Sequence, residues 1–128
     1  MSGTGKKPIL DATAVLAIIQ EETGAERLLP LCREAAVSAV NVAEVLAKLI
    51  SKGVPRAEAQ AAVDALHVET LPFAPAEASL SAFYTRKGVS LGDRCFLAAA
   101  YLHGTGWTAD RALASLDCER LPELEIFR

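Results

Sequence analysis

Four acidic side chains stand where a carboxylate could do chemistry: Asp11, Glu44, Asp93 and Asp110. Asp11 closes the apolar run Pro8-Ile9-Leu10. Asp110 follows a short stretch of strand character at Trp107 and Thr108, and a carboxylate just past a strand end is where open α/β sheets place their chemistry. Asp93 lies three residues after Ser90, the spacing of a capping box with Asp in place of the usual Glu or Gln. It precedes Leu97 by four and Ala100 by seven, so it shares a helical stripe with the apolar residues Leu97, Ala100 and Tyr101. A charge on the buried side of a helix start needs an explanation.

Each acid also has an ordinary reading. Asp11 and Asp110 suit helix N-caps, each worth ~1 kcal/mol. Asp93 completes the box with Ser90. Glu44 stands three residues after a possible Asn41 cap and four before Lys48. Taken together, the four are harder to dismiss. Two carboxylates ~4 Å apart repel by roughly 4 kcal/mol at an effective dielectric of about 20. Four near one edge must spread apart, take up protons or hold a cation. Carboxylates with water suit Mg²⁺ or Mn²⁺. A divalent ion with open positions is the usual equipment for phosphodiester hydrolysis. It also lets a chain of net charge −3 attract a phosphate.

The elements that must position these acids follow from apolar patterning. Pro8 to Leu10, Ala35 to Ser38, Val68 to Leu71, Trp107 to Thr108 and Leu124 to Phe127 read as strands. Ala12 to Glu21, Ala25 to Arg33 (kinked near Pro30), Asn41 to Lys52, Pro55 to Leu66, Pro75 to Lys87 and the stretch after Ser90 read as helices. The clearest is the third, with Val42, Val45, Leu46, Leu49 and Ile50 at i, i+3, i+4, i+7 and i+8. Gly104 and Gly106 are expected to end the helix before the fourth strand. Strands alternating with helices predict an α/β fold: a doubly wound parallel sheet of about five short strands with helices on both faces. In that layout every strand ends, and every returning helix begins, on one edge. The alternation alone therefore brings Asp11, Glu44, Asp93 and Asp110 toward the same side of one sheet.

Composition removes other classes. The chain has 128 residues, 52% of them apolar, which suits one domain able to bury about two-thirds of its unfolded surface without disulfide or structural metal. The expected division is a flexible tail over residues 1–7 and a single domain over 8–128. Gly3-Thr4-Gly5-Lys6 lacks the full spacing of a phosphate-binding loop. Cys32, Cys95 and Cys118 form no CxxC or Cys/His pattern and read as incidental thiols of a reducing cytoplasm. No apolar run approaches the ~20 residues of a membrane span, and Asp11 interrupts any signal-peptide core. His67 and His103 have no partner at ligand spacing. No serine lies in a nucleophile elbow, and no dinucleotide-binding glycine fingerprint occurs.

The segments Ile9-Leu10-Asp11-Ala12-Thr13-Ala14, Ser38-Ala39-Val40-Asn41-Val42-Ala43-Glu44-Val45, Ser90-Leu91-Gly92-Asp93-Arg94 and Thr108-Ala109-Asp110-Arg111 occur in this order. Together the chain resembles, from about Pro8 to the C-terminus, the PIN-domain ribonucleases and among them the VapC-type toxins of bacterial toxin–antitoxin pairs. The resemblance implies a PIN-like doubly wound sandwich. It makes Asp11, Glu44, Asp93 and Asp110 an acidic quartet holding Mg²⁺ or Mn²⁺, with Thr13 and Thr108 as nearby hydroxyls that orient the site. For Glu44 the family match carries most of the weight, because its neighbours Asn41 and Lys48 are polar. The implied reaction is metal-assisted hydrolysis of RNA, leaving a 5′-phosphate and a 3′-hydroxyl. Arg86, Lys87, Arg94 and Arg111, in or near the motifs, are candidate RNA contacts, although each reads equally well as solvated surface. The resemblance further implies a cytoplasmic homodimer and a cognate VapB-type antitoxin whose tail covers the active site. Trp107 departs from the smaller aliphatics common in that strand. Competing readings are a non-catalytic PIN-like partner-binding domain, which has no need of four acids, and an RNA-processing nuclease that is not a toxin. A receiver domain would want an acidic pair after the first strand and a lysine after the last, and the chain has neither.

Overall fold

Lys7–Leu10 (β1) is the central strand of a five-stranded sheet of order β3-β2-β1-β4-β5, in which every pairing is parallel. The other strands are Ala36–Ser38 (β2), Glu69–Leu71 (β3), Gly104–Thr108 (β4) and Leu124–Ile126 (β5). This arrangement comes from a computed structural model that describes residues 6–128. The run Gly3-Thr4-Gly5 and most of the expected tail lie outside the described residues.

Side chains of a strand alternate between faces, and here the alternation sorts the molecule into two cores. Leu10 and Val37 face one layer, made by Ala12–Ile19 (α1), Ala25–Leu28 (α2), Ala39–Ser51 (α3) and Arg56–Asp64 (α4). Ile9 and Ala36 face the other, made by Pro75–Ser81 (α5), Leu91–His103 (α6) and Arg111–Ala114 (α7). Ile9 and Leu10 are fully buried, and each such side chain contributes roughly 1.5–3 kcal/mol. The doubly wound parallel sheet expected from the sequence is the fold observed.

Several local expectations are corrected. α3 begins at Ala39 and its N-cap is Ser38, whose hydroxyl accepts the Val40 N–H at 3.3 Å. Asn41 is therefore a buried residue of the first turn and not a cap. β4 begins at Gly104, three residues before the expected start. Gly104 is the C-cap that ends α6, as expected, and also the first residue of the strand, whereas Gly106 lies inside the strand. A methyl on Gly104 would overlap the Lys7 carbonyl of β1, and one on Gly106 would crowd the Phe96 ring and Leu124. Gly in a strand often marks such close approach. α5 stops at Ser81 and a single tighter turn, Ala82–Tyr84, follows. That turn buries the Tyr84 ring and lets its hydroxyl donate to the Arg120 carbonyl at 2.7 Å. α6 is buried on nearly all sides through Phe96, Leu97, Ala98, Ala99 and Ala100, but Tyr101 is 44% exposed and leaves the expected stripe.

Candidate active site

The direction in which strands are added reverses between β1 and β4, which are themselves hydrogen-bonded neighbours. β1 connects outward to β2 on one side, and β4 connects outward to β5 on the other. Parallel sheets bind ligands outside the carboxyl ends of the strands at such a reversal. Asp11 follows β1 at this point and Asp110 follows β4. The helices α3 and α6 begin on the same edge, carrying Glu44 and Asp93.

Asp11 is the most constrained of the four. It caps α1, accepting the Ala14 N–H on Oδ1 at 2.8 Å, and the Thr13 hydroxyl donates to the same oxygen at 2.6 Å. The Thr108 hydroxyl, from the end of β4, donates to Oδ2 at 2.5 Å. Thr108 in turn accepts the Asp110 N–H at 3.0 Å. Asp11 is 6% exposed. Burial pushes its carboxyl above the ordinary value of 3.8, the three hydrogen bonds oppose that, and the Asp93 charge adds to it. Of these influences burial is the largest and the Asp93 charge the smallest.

Asp93 and Ser90 form the anticipated capping box at the head of α6: the Ser90 N–H donates to Asp93 Oδ2 and the Asp93 N–H to Ser90 Oγ, both at 3.1 Å. Glu44 is held by Asn41, whose amide Nδ2 donates to Glu44 Oε1 at 2.8 Å and to the Gly92 carbonyl at 3.1 Å. Among the described residues no ion pair joins Glu44 to Lys48. The carboxylate tucks against Gly92 so closely that a methyl there would overlap it. A cleft of about 190 Å³ results, lined by Asp11, Thr13, Asn41, Glu44, Gly92 and Asp93, with Lys48 as its basic residue.

Asp110 does not line that cleft. Its carboxylate is exposed and caps α7, accepting the Ala112 N–H at 2.9 Å, and it reaches Asp11 only through Thr108. The four basic candidates also stand off the cleft lining. The Arg86 guanidinium donates to the carbonyls of Phe83, Thr85 and Asp117. Arg111 points to the Arg128 carbonyl at 3.5 Å. Arg94 is half-buried with its Nε unpartnered, and Lys87 is exposed. Sequence reasoning missed Asn41, Gly92 and Lys48 as site residues. The sequence signal for Asn41 is an amide three residues before Glu44 on one helix face, a position that equally suits a cap.

Among the described residues no three His, Cys, Asp or Glu side chains converge closely enough to form a complete ligand set. That does not conflict with a hydrated hard cation. Mg²⁺ is usually held by one or two carboxylates and several waters and seldom by an all-protein cage. Three carboxylates and an amide around one cleft are hard oxygen donors of that kind, so the donor set fits a divalent metal.

A sequence model described as the PIN domain matches residues 9–117. In fold, the chain is similar to the crystal structure of PAE2754 from Pyrobaculum aerophilum, with a TM-score of 0.63 and 18% identity over 94% of this chain and 84% of that one. At that identity the likeness concerns the fold alone. No curated protein matches the chain.

Proposed function

The chain belongs to the PIN-domain family, whose members are generally nucleases that use divalent metals, and from that premise we propose that it is a Mg²⁺- or Mn²⁺-dependent endoribonuclease. The observation that carries this reading is the cleft at the sheet reversal, where buried Asp11, half-buried Asp93 and Glu44 line the same space. The proposed metal-holding residues are Asp11, Glu44 and Asp93, with Asp110 behind Thr108 as the fourth acid of the quartet. We further propose a single domain over residues 8–128 acting in the cytoplasm, where its three free thiols are at home. Among the described residues no helix is long and apolar enough to cross a membrane.

A divalent cation bound by these carboxylates would lower the pKa of water and offset charge building on the scissile phosphate. The chain's own residues set up that chemistry. Thr13, Thr108 and the Ala14 N–H aim both oxygens of Asp11, so the carboxylate loses little orientational freedom when it acts. The Ser90 N–H holds one oxygen of Asp93 and leaves the other free. Lys48, on the cleft wall, offers a phosphate a positive contact. Thr13 and Thr108 thus act as positioning hydroxyls.

The four motifs support the finer assignment: the toxin of a toxin–antitoxin pair, a VapC-type homodimer restrained by a VapB-type antitoxin. The test is cleavage of mixed tRNA and rRNA by the purified chain with Mn²⁺ or Mg²⁺, with chelator, and with Asp93→Asn. Metal-dependent cutting that disappears in the variant is the expected result. A folded, antitoxin-free chain that cuts nothing and binds no divalent ion would instead mark a partner-binding PIN domain. Growth arrest on expression, relieved by the product of an adjacent small gene, separates a toxin from an RNA-processing enzyme.

A further inference from the structure

Asn41 is 1% exposed, yet it lines the cleft. Its Nδ2 is fully engaged, donating to Glu44 Oε1 and to the Gly92 carbonyl 51 positions away in sequence. Both partners are acceptors, so the amide cannot be turned over without setting oxygen against oxygen. The amide orientation is therefore fixed, and Oδ1 must face away from them. That oxygen is buried and, among the described residues, has no hydrogen-bond partner. An unmet buried acceptor is a cost that the interior of a natural domain seldom carries without use; here it accompanies the Nδ2 bridge that fixes which way the amide lies. The same amide joins the first turn of α3 to the first turn of α6, the two helices that carry Glu44 and Asp93. Gly92 makes the junction possible, because any side chain there would displace the Glu44 carboxylate.

We propose that Asn41 is a positioning residue of the metal cleft: its Nδ2 locks the Glu44 carboxylate against the head of α6. This rests on the metal-dependent reading above and adds to it a neutral residue outside the acidic quartet. Asn41 acts through Glu44, so its effect appears first in metal affinity. Partners of this kind around metal sites typically change affinity by roughly 10–100-fold.

The experiment measures Mn²⁺ affinity, from the electron-spin signal of free Mn²⁺, for wild type, Asn41→Ala, Asn41→Asp, Glu44→Ala and the double variant Asn41→Ala/Glu44→Ala. Thermal unfolding in chelator runs in parallel. Asn41→Ala should weaken Mn²⁺ binding about tenfold, and the further loss on adding it to Glu44→Ala should be smaller than its loss alone. Asn41→Asp adds a negative charge but forfeits the Nδ2 clamp. It should fail to restore wild-type affinity if the clamp matters, whereas simple charge counting would have it bind more tightly. If Asn41→Ala does not fold, Asn41→Ser carries the same comparison with a smaller cavity. Wild-type Mn²⁺ affinity in a folded Asn41 variant, with only its unfolding temperature lowered, would overturn this inference alone. A wild type that binds no Mn²⁺ would overturn the metal reading and this inference with it.

Discussion

Asp11, Glu44 and Asp93 surround a cleft of about 190 Å³ at the sheet edge, while Glu21, Glu22 and Glu26 surround a larger one of about 270 Å³ where α1 meets α2. Both hold three acids. In the second, the floor is Ile18, Ala25 and a Leu29 that is 60% exposed. Its Glu21 and Glu26 are exposed, and Glu22 is paired with Arg128 at 3.1 Å. The first buries Asp11 and aims it with three hydrogen bonds from two elements, one of them the distant β4. The difference teaches that the number of acids is a poor guide to a site. What separates the two is whether tertiary structure removes a carboxylate from water and fixes its direction. A desolvated, oriented carboxylate gains most from a cation, whereas exposed acids are already satisfied by solvent.

Substitutions can sharpen this comparison or break it. The largest effect is expected from Asp11→Asn. It should lower metal-dependent RNA cleavage by on the order of 10² or more, since metal-based charge stabilisation is worth several kcal/mol. Its stability should move the opposite way with pH. Burial raises the Asp11 carboxyl, so its contribution to wild-type stability is fully present below the unfolded value of 3.8 and is lost as pH rises through the higher folded value. Denaturant unfolding in chelator should show the Asp11→Asn variant gaining on wild type as pH climbs above 3.8. A difference independent of pH would mean that Asp11 is not desolvated as described.

A middle-sized effect is expected from Thr108→Val, which keeps the shape and removes the hydroxyl that donates to Asp11 and accepts from Asp110. Loss of a hydrogen bond to a charged group should cost about 1.5–3 kcal/mol by urea denaturation. The smallest effect is expected in the other cleft. Glu21→Gln and Glu26→Gln should leave Mn²⁺ affinity unchanged and stability within about 0.5 kcal/mol. A clear fall in Mn²⁺ affinity from either would erase the distinction drawn between the two clefts.

Much of the site's framework is local and was legible. Asp11, Asp110 and the Ser90–Asp93 pair each bond within three residues along the chain. That is the range over which capping patterns operate. The ordinary reading and the proposed functional one are compatible: the same carboxylates cap helices and stand on the carboxyl edge of the sheet. The cap of α3 was misplaced by three residues because Ser38 and Asn41 are both good caps, and only burial of Asn41 decides between them.

By itself, then, the sequence determined the alternation of strands and helices, the parallel sheet and the edge on which the acids gather. These follow from apolar period and from hydrogen bonds between near neighbours, which hold in any context. Only the tertiary structure decided that Asp11 is buried beneath Thr108, 97 positions away, that Asn41 joins Glu44 to Gly92, and that Asp110 stands outside the cleft. It also decided that Gly104 belongs to a strand. Each of these depends on how closely two separately formed elements approach. That distance is set by packing across the sheet and leaves no mark in the spacing of residues along the chain.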